Sequence, residues 1–188
     1  MAKVVDNLVT EGLSGKLGKR LVFRKGKGGK TLLTTRPVFS EDRSFSEAQM
    51  AQQEAFGQAI DYARGAKTQP IYIELAKGTP KTAYNIAVED WFGQPEILQV
   101  KLNGWTGGIG QTIRVQAKDD VEVTHVRLSI GDGNGTVYEQ GEAVPSETES
   151  GWWVYTTTTL VPMTPAPRLD ASAEDRPGNI GAFGIMVS

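Results

Sequence analysis

The sequence predicts an α+β N-terminal half, made of a β-hairpin arm plus two helices, followed by an all-β sandwich. Three observations carry this. Residues 1–93 place Gly- and Lys-rich β-compatible runs ahead of two segments with helical period. From Ile97 onward the apolar period changes to two, through roughly seven short runs separated by turn residues. With 188 residues, 39% of them hydrophobic, the chain is long enough for one large domain or two small ones. The boundary is expected near 93–96, giving units of 1–93 and 94–188.

The arm comes first. Gly12, Gly15 and Gly18 precede Leu21-Val22-Phe23-Arg24, and a Lys25-Gly26-Lys27-Gly28-Gly29-Lys30 stretch leads into Thr31-Leu32-Leu33-Thr34-Thr35-Arg36-Pro37. Two β-compatible runs around a Gly and Lys tip predict a hairpin whose second strand ends at Pro37. Ser44-Phe45-Ser46-Glu47 has capping-box spacing, with a Ser to cap a backbone N–H and a Glu to return the bond. Behind it Ala48, Ala51, Ala55, Ala59 and Tyr62 form one stripe, widened by Phe56, Ile60 and Ala63, which predicts a helix over 46–64 ended by Gly65. Pro70-Ile71-Tyr72-Ile73-Glu74 reads as a short strand or extended link. Thr79 before Pro80 pairs an N-cap with a first-turn residue, so a second helix is expected from there to Trp91, with Tyr84, Ala87, Val88 and Trp91 on one side.

The sandwich strands follow. They are expected at Ile97–Leu102, Thr112–Ala117, Val123–Ile130, Thr136–Glu139, Trp152–Leu160, Leu169–Ala173 and Ala182–Val187. Alternation turns Ile113, Val115, Ala117, Val126, Leu128, Ile130, Leu169, Ala171 and Ala173 inward. Trp152 and Trp153 are adjacent on one strand and must face opposite ways, one into the core. Gly131-Asp132-Gly133-Asn134-Gly135 is a dense turn signal.

Charge is uneven. Residues 1–37 hold nine Lys or Arg against two acids, net +7, whereas residues 94–188 hold six against twelve, net −6. The chain reads as a basic arm on an acidic body. Cysteine is absent, which removes disulfides, thiolate metal sites and Cys nucleophiles together. No stretch approaches the roughly 20 apolar residues of a membrane span, and Met1-Ala2-Lys3-Val4-Val5-Asp6 is not followed by a signal-peptide core. The expectation is therefore a protein with no membrane span, cytoplasmic or part of a virion or other assembly.

Catalytic inventory is thin. The sole histidine, His125, shares the strand parity of Arg127 and Ser129 and is expected to face solvent, whereas a Ser-His-Asp arrangement needs its imidazole held between partners. Carboxylates at Asp119-Asp120, Asp170 and Glu174-Asp175 are the residue types of a glycosidase pair or a calcium site, but adjacent acids on a strand point apart and loop Asp residues ordinarily bond local backbone. Asp132-Gly133-Asn134-Gly135-Thr136 begins like an EF-hand loop and fails at its sixth position, Val137. The Gly and Lys tip lacks the Gly-Lys-Ser/Thr of a phosphate-binding loop and precedes a strand, not a helix. Neither a catalytic residue nor a cofactor or metal is expected.

The basic residues Lys16, Lys19, Arg20, Arg24, Lys25, Lys27 and Lys30 are the candidate partner-binding set. They carry phosphate-neutralising charge for a nucleic acid, yet Phe23 is the sole aromatic among them and makes a poor stacking platform. A basic extension with strand edges, attached to an acidic body, fits docking on protein better, first of all on a second copy of the chain. An exposed Trp would also suit a carbohydrate.

The strand pair Trp152-Trp153-Val154-Tyr155-Thr156-Thr157-Thr158-Thr159 and Leu169-Asp170-Ala171-Ser172-Ala173-Glu174-Asp175-Arg176-Pro177-Gly178-Asn179 resembles the closing strands of bacterial immunoglobulin-like domains, in which an Ala-x-Asp-x-x-Gly-Asn stretch precedes the final strand. The resemblance covers about 92 residues of the C-terminal half and implies an immunoglobulin-like sandwich of the kind found in surface proteins, phage structural proteins and enzyme accessory domains. Without cysteines it departs from the antibody-type, disulfide-pinned pattern. The N-terminal half, with its Gly-x-x-Gly-x-x-Gly run and a helix carrying Gln49, Gln52 and Gln53, resembles an uncharacterised family of short bacterial proteins and transfers no functional residues. The function these readings imply is a non-enzymatic structural or binding component, self-associating or docked on protein, of a bacterial or phage assembly. A nucleic-acid-associated protein and a carbohydrate-binding module are the alternatives.

Overall fold

A computed structural model of the chain describes residues 2–4, 13–25, 31–36 and 44–187. It is an α+β protein with three helices and three antiparallel four-stranded sheets among the described residues. The chain divides into two compact units, Met1–Glu54 and Ala55–Ser188, so the compositional break at 93–96 falls inside the second unit.

The first unit is a sheet of β1 (Ala2–Val4), β2 (Gly15–Leu17), β3 (Leu21–Lys25) and β4 (Thr31–Thr35), ordered β1-β4-β3-β2. The expected hairpin is β3 with β4, pairing Phe23 with Leu33 and Lys25 with Thr31. β1 and β2 extend it on both sides and were not anticipated. The tip at 26–30 and the strand end at Pro37 lie outside the described residues. Phe23 is buried and lies opposite Gly15, whose φ of +109° is a conformation L side chains rarely adopt.

Helix α1 (Glu47–Ala66) begins two residues later than the capping box read from Ser44. Ser46 is the capping residue: Gln49 N donates to Ser46 Oγ at 3.3 Å and Ser46 N donates to Gln49 Oε1 at 3.0 Å. A Gln fills the role assigned to Glu47. Gly65 does not end α1, because the helix continues one residue to bury Ala66 beside Ala63. Of the expected stripe, Ala59 and Ala63 are buried, whereas Phe56 is exposed.

The segment 70–76 is a helix, α2 (Pro70–Ala76), and not the extended link expected. Pro70 sits in its first turn, where a fixed φ and a missing N–H cost nothing, and the helical turn carries Tyr72 into complete burial. Helix α3 (Ala83–Phe92) starts at Thr82, not at Thr79, since Thr82 Oγ1 accepts from Asn85 N at 3.2 Å. Its expected face is observed: Ala87 is buried and Tyr84, Val88 and Trp91 are half-buried.

The sandwich packs one sheet, β5 (Glu96–Lys101), β6 (Thr112–Lys118), β10 (Trp152–Thr156) and β9 (Val144–Pro145), in the order β5-β6-β10-β9. The facing sheet holds β7 (Val123–Gly131), β8 (Val137–Glu142), β11 (Arg168–Asp175) and β12 (Ile180–Met186), in the order β12-β11-β7-β8. All nine residues expected to turn inward on β6, β7 and β11 are buried. Trp153 completes the core and Trp152 faces outward, as strand parity requires. The run Trp152–Leu160 stops being a strand at Thr156, because the next residues bond to loops: Thr157 Oγ1 donates to Gly108 O at 2.7 Å, and Thr158 N donates to the buried Glu139 carboxylate.

Leu169 is fully buried at the centre of this core. Leu169→Ala is expected to cost about 2–5 kcal/mol, through lost apolar transfer and the cavity left behind. Reversible denaturant unfolding checks it, and a cost under about 0.5 kcal/mol, typical of a surface site, would contradict the packing described.

Candidate functional site

Five of the seven candidate basic residues are described: Lys16 on β2, Lys19 and Arg20 in the turn to β3, and Arg24 and Lys25 at the end of β3. Lys27 and Lys30 lie outside the described residues. All five are exposed. Register separates them. Lys16 pairs with Val22, so Lys16 and Arg24 share one face of the sheet, and Lys25 falls on the other with Phe23. Among the described residues, none of the five forms a salt bridge.

The arginines of the sandwich behave differently. Arg114 bonds Glu149 at 2.6 Å, Arg127 bridges Glu142 and Glu174 at 3.2 and 3.0 Å, Arg168 meets Asp170 at 2.9 Å, and Arg176 meets Glu122 at 2.5 Å.

Asp119, Asp132 and Asp175 are held by local structure. Asp119 Oδ2 accepts from Val121 N and Glu122 N, both at 3.0 Å, which caps a turn. Asp132 Oδ1 accepts from Asn134 N at 2.7 Å and Thr136 N at 3.0 Å, and these backbone donors lower its pKa. Asp175 is buried and folds the Asp-x-x-Gly-Asn segment around itself. Its Oδ1 accepts from Gly178 N at 2.8 Å and Asn179 N at 2.6 Å, and its Oδ2 accepts from Asn179 Nδ2 at 2.8 Å. His125 is half-exposed, with Glu142 3.6 Å from Nδ1. No cluster of three or more His, Cys, Asp or Glu suited to a metal occurs among the described residues.

Trp152, the outward member of the Trp pair, is not an open platform. Lys101 Nζ and Arg114 Cζ each lie 4.6 Å from a ring centroid of its indole, a cation–π arrangement that uses the π-face. A cavity of about 660 Å³ opens beside it, with Asp119, Glu122 and Glu149 on its lining against the single cation Lys118. No helix among the described residues is long and apolar enough to cross a membrane.

Sequence reasoning missed one polar constellation. Tyr62 on α1, Tyr72 on α2 and Asp90 on α3 form a chain: the two hydroxyls are 2.6 Å apart and Tyr72 Oη donates to Asp90 Oδ2. Arg176 lies 6.0 Å from the Tyr72 ring centroid and its Nη2 donates to Gln69 Oε1 at 2.5 Å. Asn179 Nδ2 donates to Trp91 O at 3.3 Å. These bonds tie α2 and α3 to the strand-ending turn of β11. Only Asp175 and Asn179 gave a sequence signal, through their turn motif. Asp90 is 1% exposed, and its Oδ1 has no hydrogen-bond partner among the described residues. Burial pushes its pKa up to about 6, aided by the Asp119 and Asp175 carboxylates and opposed by the Tyr72 hydrogen bond. Burial, then the bond to Asp90, holds the Tyr72 phenol above its ordinary range. The cluster joins the helices to the sandwich.

No family model matches the chain, and no curated protein matches it significantly. Among solved structures, an engineered protein is 19% identical with a TM-score of 0.35, covering 50% of this chain and 20% of its own. CopC from Methylosinus trichosporium OB3b is 13% identical with a TM-score of 0.35, covering 50% of this chain and 94% of its own. The chain thus spans about a fifth of the first of these structures.

The raised Asp90 pKa has a signed consequence. A carboxyl that titrates at about 6 when folded and at an ordinary 3.8 when unfolded binds more protons in the folded state between those values. Its contribution to stability is full below the lower value and is lost as pH rises through the upper one. Asp90→Asn, which keeps an acceptor for Tyr72, is expected to flatten the stability–pH profile between about pH 4 and 6. Chemical unfolding at a series of pH values measures it; parallel profiles for the two proteins would refute this role.

Proposed function

We propose that the chain is a non-enzymatic structural or binding protein that self-associates or docks on protein partners, using its basic N-terminal sheet and an immunoglobulin-like sandwich, as a component of a bacterial or phage assembly. The observation that carries this reading is the contrast in charge pairing. Lys16, Lys19, Arg20, Arg24 and Lys25 are exposed and make no salt bridge among the described residues, whereas the arginines of the sandwich are engaged by its acids. Unpaired surface cations on one unit and a net −6 over residues 94–188 favour encounter between copies.

Strand order supports the immunoglobulin-like part. Counting the sandwich strands one to eight, the sheets run 1-2-6-5 and 8-7-3-4. That is the order expected when an A-B-E-D sheet faces a G-F-C sheet extended by C′. Three observations weigh against chemistry and the alternative ligands. Asp119, Asp170, Glu174 and Asp175 are taken up by turns and ion pairs. Phe23, the aromatic among the basic residues, is buried and so offers no base a stacking surface. Trp152 carries two cations on its ring.

Multi-angle light scattering across concentration and ionic strength tests the proposal. The mass is expected to rise with concentration at low salt and to fall as salt screens the attraction over a Debye length of about 8 Å at physiological strength. The double change Lys16→Glu, Arg24→Glu, made in the full chain on one sheet face, is expected to weaken the association. A chain that stays monomeric at every concentration, or association indifferent to that double change, overturns the role of the basic sheet; binding of a DNA or RNA oligonucleotide with the same dependence would replace it with the nucleic-acid reading.

A further inference from the structure

The four outer strands of the sandwich differ in how they protect their edges. Exposed edges invite pairing with another chain, and folds blunt them with charge, proline, bulges or shortness. β5 begins at Glu96, ends at Lys101 and carries a register shift between Ile97 and Gln99. β9 is two residues long and contains Pro145. β8 carries Glu139 and Glu142 and lies against a register shift between Ile130 and Gly131. β12, Ile180-Gly181-Ala182-Phe183-Gly184-Ile185-Met186, has no charge, no proline and no register shift, and no described strand lies beyond it.

Its hydrogen-bond parity is readable. Val187 N donates to Pro167 O at 2.9 Å and Asp175 N donates to Asn179 O at 3.2 Å, so the odd-numbered residues of β12 exchange bonds with β11. Ile180, Ala182, Gly184 and Met186 therefore turn their N–H and C=O groups to the open edge. Phe183 has the opposite side-chain parity. It lies on the core face opposite the buried Ala171, yet it is 41% exposed because the sheet ends beside it.

We propose that β12 pairs antiparallel with β12 of a second copy about a two-fold axis at Phe183, joining two four-stranded sheets into one of eight. The proposal deepens the self-association reading and rests on it. In this register Ile180 meets Met186 and Ala182 meets Gly184, all residues with outward main-chain groups, which is the parity that hydrogen-bonded antiparallel pairs require. Phe183 meets itself at the non-hydrogen-bonded position, where side chains approach most closely, and the exposed parts of both rings are covered. Ile180 and Met186, each 58% exposed, cover one another on the outer face. Glu174 neighbours Ile180 and Arg168 neighbours Met186, so the pairing brings no like charges together across the axis. The interface is isologous and closes at two copies.

A single introduced thiol tests the register, because the chain has no cysteine of its own. Facing Cα atoms at a non-hydrogen-bonded antiparallel position are about 4.5 Å apart, within disulfide range. Phe183→Cys is expected to form a covalent dimer under mild oxidation much faster than Val137→Cys, which sits exposed on the β8 edge. Adding Ala182→Pro, which removes one outward N–H and leaves the bonds to β11 intact, is expected to abolish the cross-link. Ile180→Lys, which keeps every main-chain group, is expected to reduce wild-type dimer to monomer in light scattering while cooperative unfolding is retained. If the wild-type chain associates but Phe183→Cys cross-links no faster than Val137→Cys and Ile180→Lys changes nothing, the edge is not the interface and self-association stands on other surfaces. If the wild-type chain is monomeric throughout, both the edge and the self-association reading fail.

Discussion

Burial of alternate side chains on β6, β7 and β11 between two sheets is the interaction on which the rest of the second unit depends. Ile113, Val115, Val126, Leu128, Ile130 and Leu169 are almost wholly removed from water, and each such side chain contributes roughly 1.5–3 kcal/mol relative to exposure. A one-residue slip of any of these strands would turn its apolar set to solvent, so the core also sets the register. Register in turn places Trp153 inside and Trp152 outside, and leaves Phe183 at the margin where the sheet stops.

Polar bonds at one end of the sandwich attach the helices to it. Asp175 closes a turn on itself, Asn179 reaches the carbonyl of Trp91, and Arg176 joins Gln69 to Glu122. Asp90 and Tyr72 complete the joint from the helical side. The arrangement accepts a buried carboxyl group with one oxygen that has no partner among the described residues. It does so because Tyr72 and Ala87 bury apolar surface against α1 and Val121 at the same place.

How much of this was legible in the sequence depended on whether the deciding neighbour was local. Strand alternation was legible, because residues two apart share a face whatever lies opposite. The α3 face of Ala87 and Trp91 was legible for the same reason at helical period. Helix α2 was not, since Ile71-Tyr72-Ile73 has β-branched and aromatic character, and beyond Pro70 in the first turn it is the reach of Tyr72 to Asp90, eighteen residues on, that favours a helical turn. The capping residue was misplaced by two positions because both Ser44 and Ser46 have a side chain able to cap. The basic residues were legible as charge, while their division between sheet faces needed the pairing of Lys16 with Val22. The Asp90 joint left no signal, as it assembles three helices and a β-turn.

In the self-association we propose, electrostatics from the basic sheet guide encounter and an uncharged sheet edge supplies directional bonds. Amide hydrogen exchange followed residue by residue as a function of protein concentration tests that claim most directly. The amides of Ile180, Ala182, Gly184 and Met186 are expected to be protected in concentrated solution and to exchange rapidly on dilution, while those of Gly181, Phe183 and Ile185, bonded to β11, stay protected throughout. Rapid exchange of the even-numbered set at every concentration would contradict it.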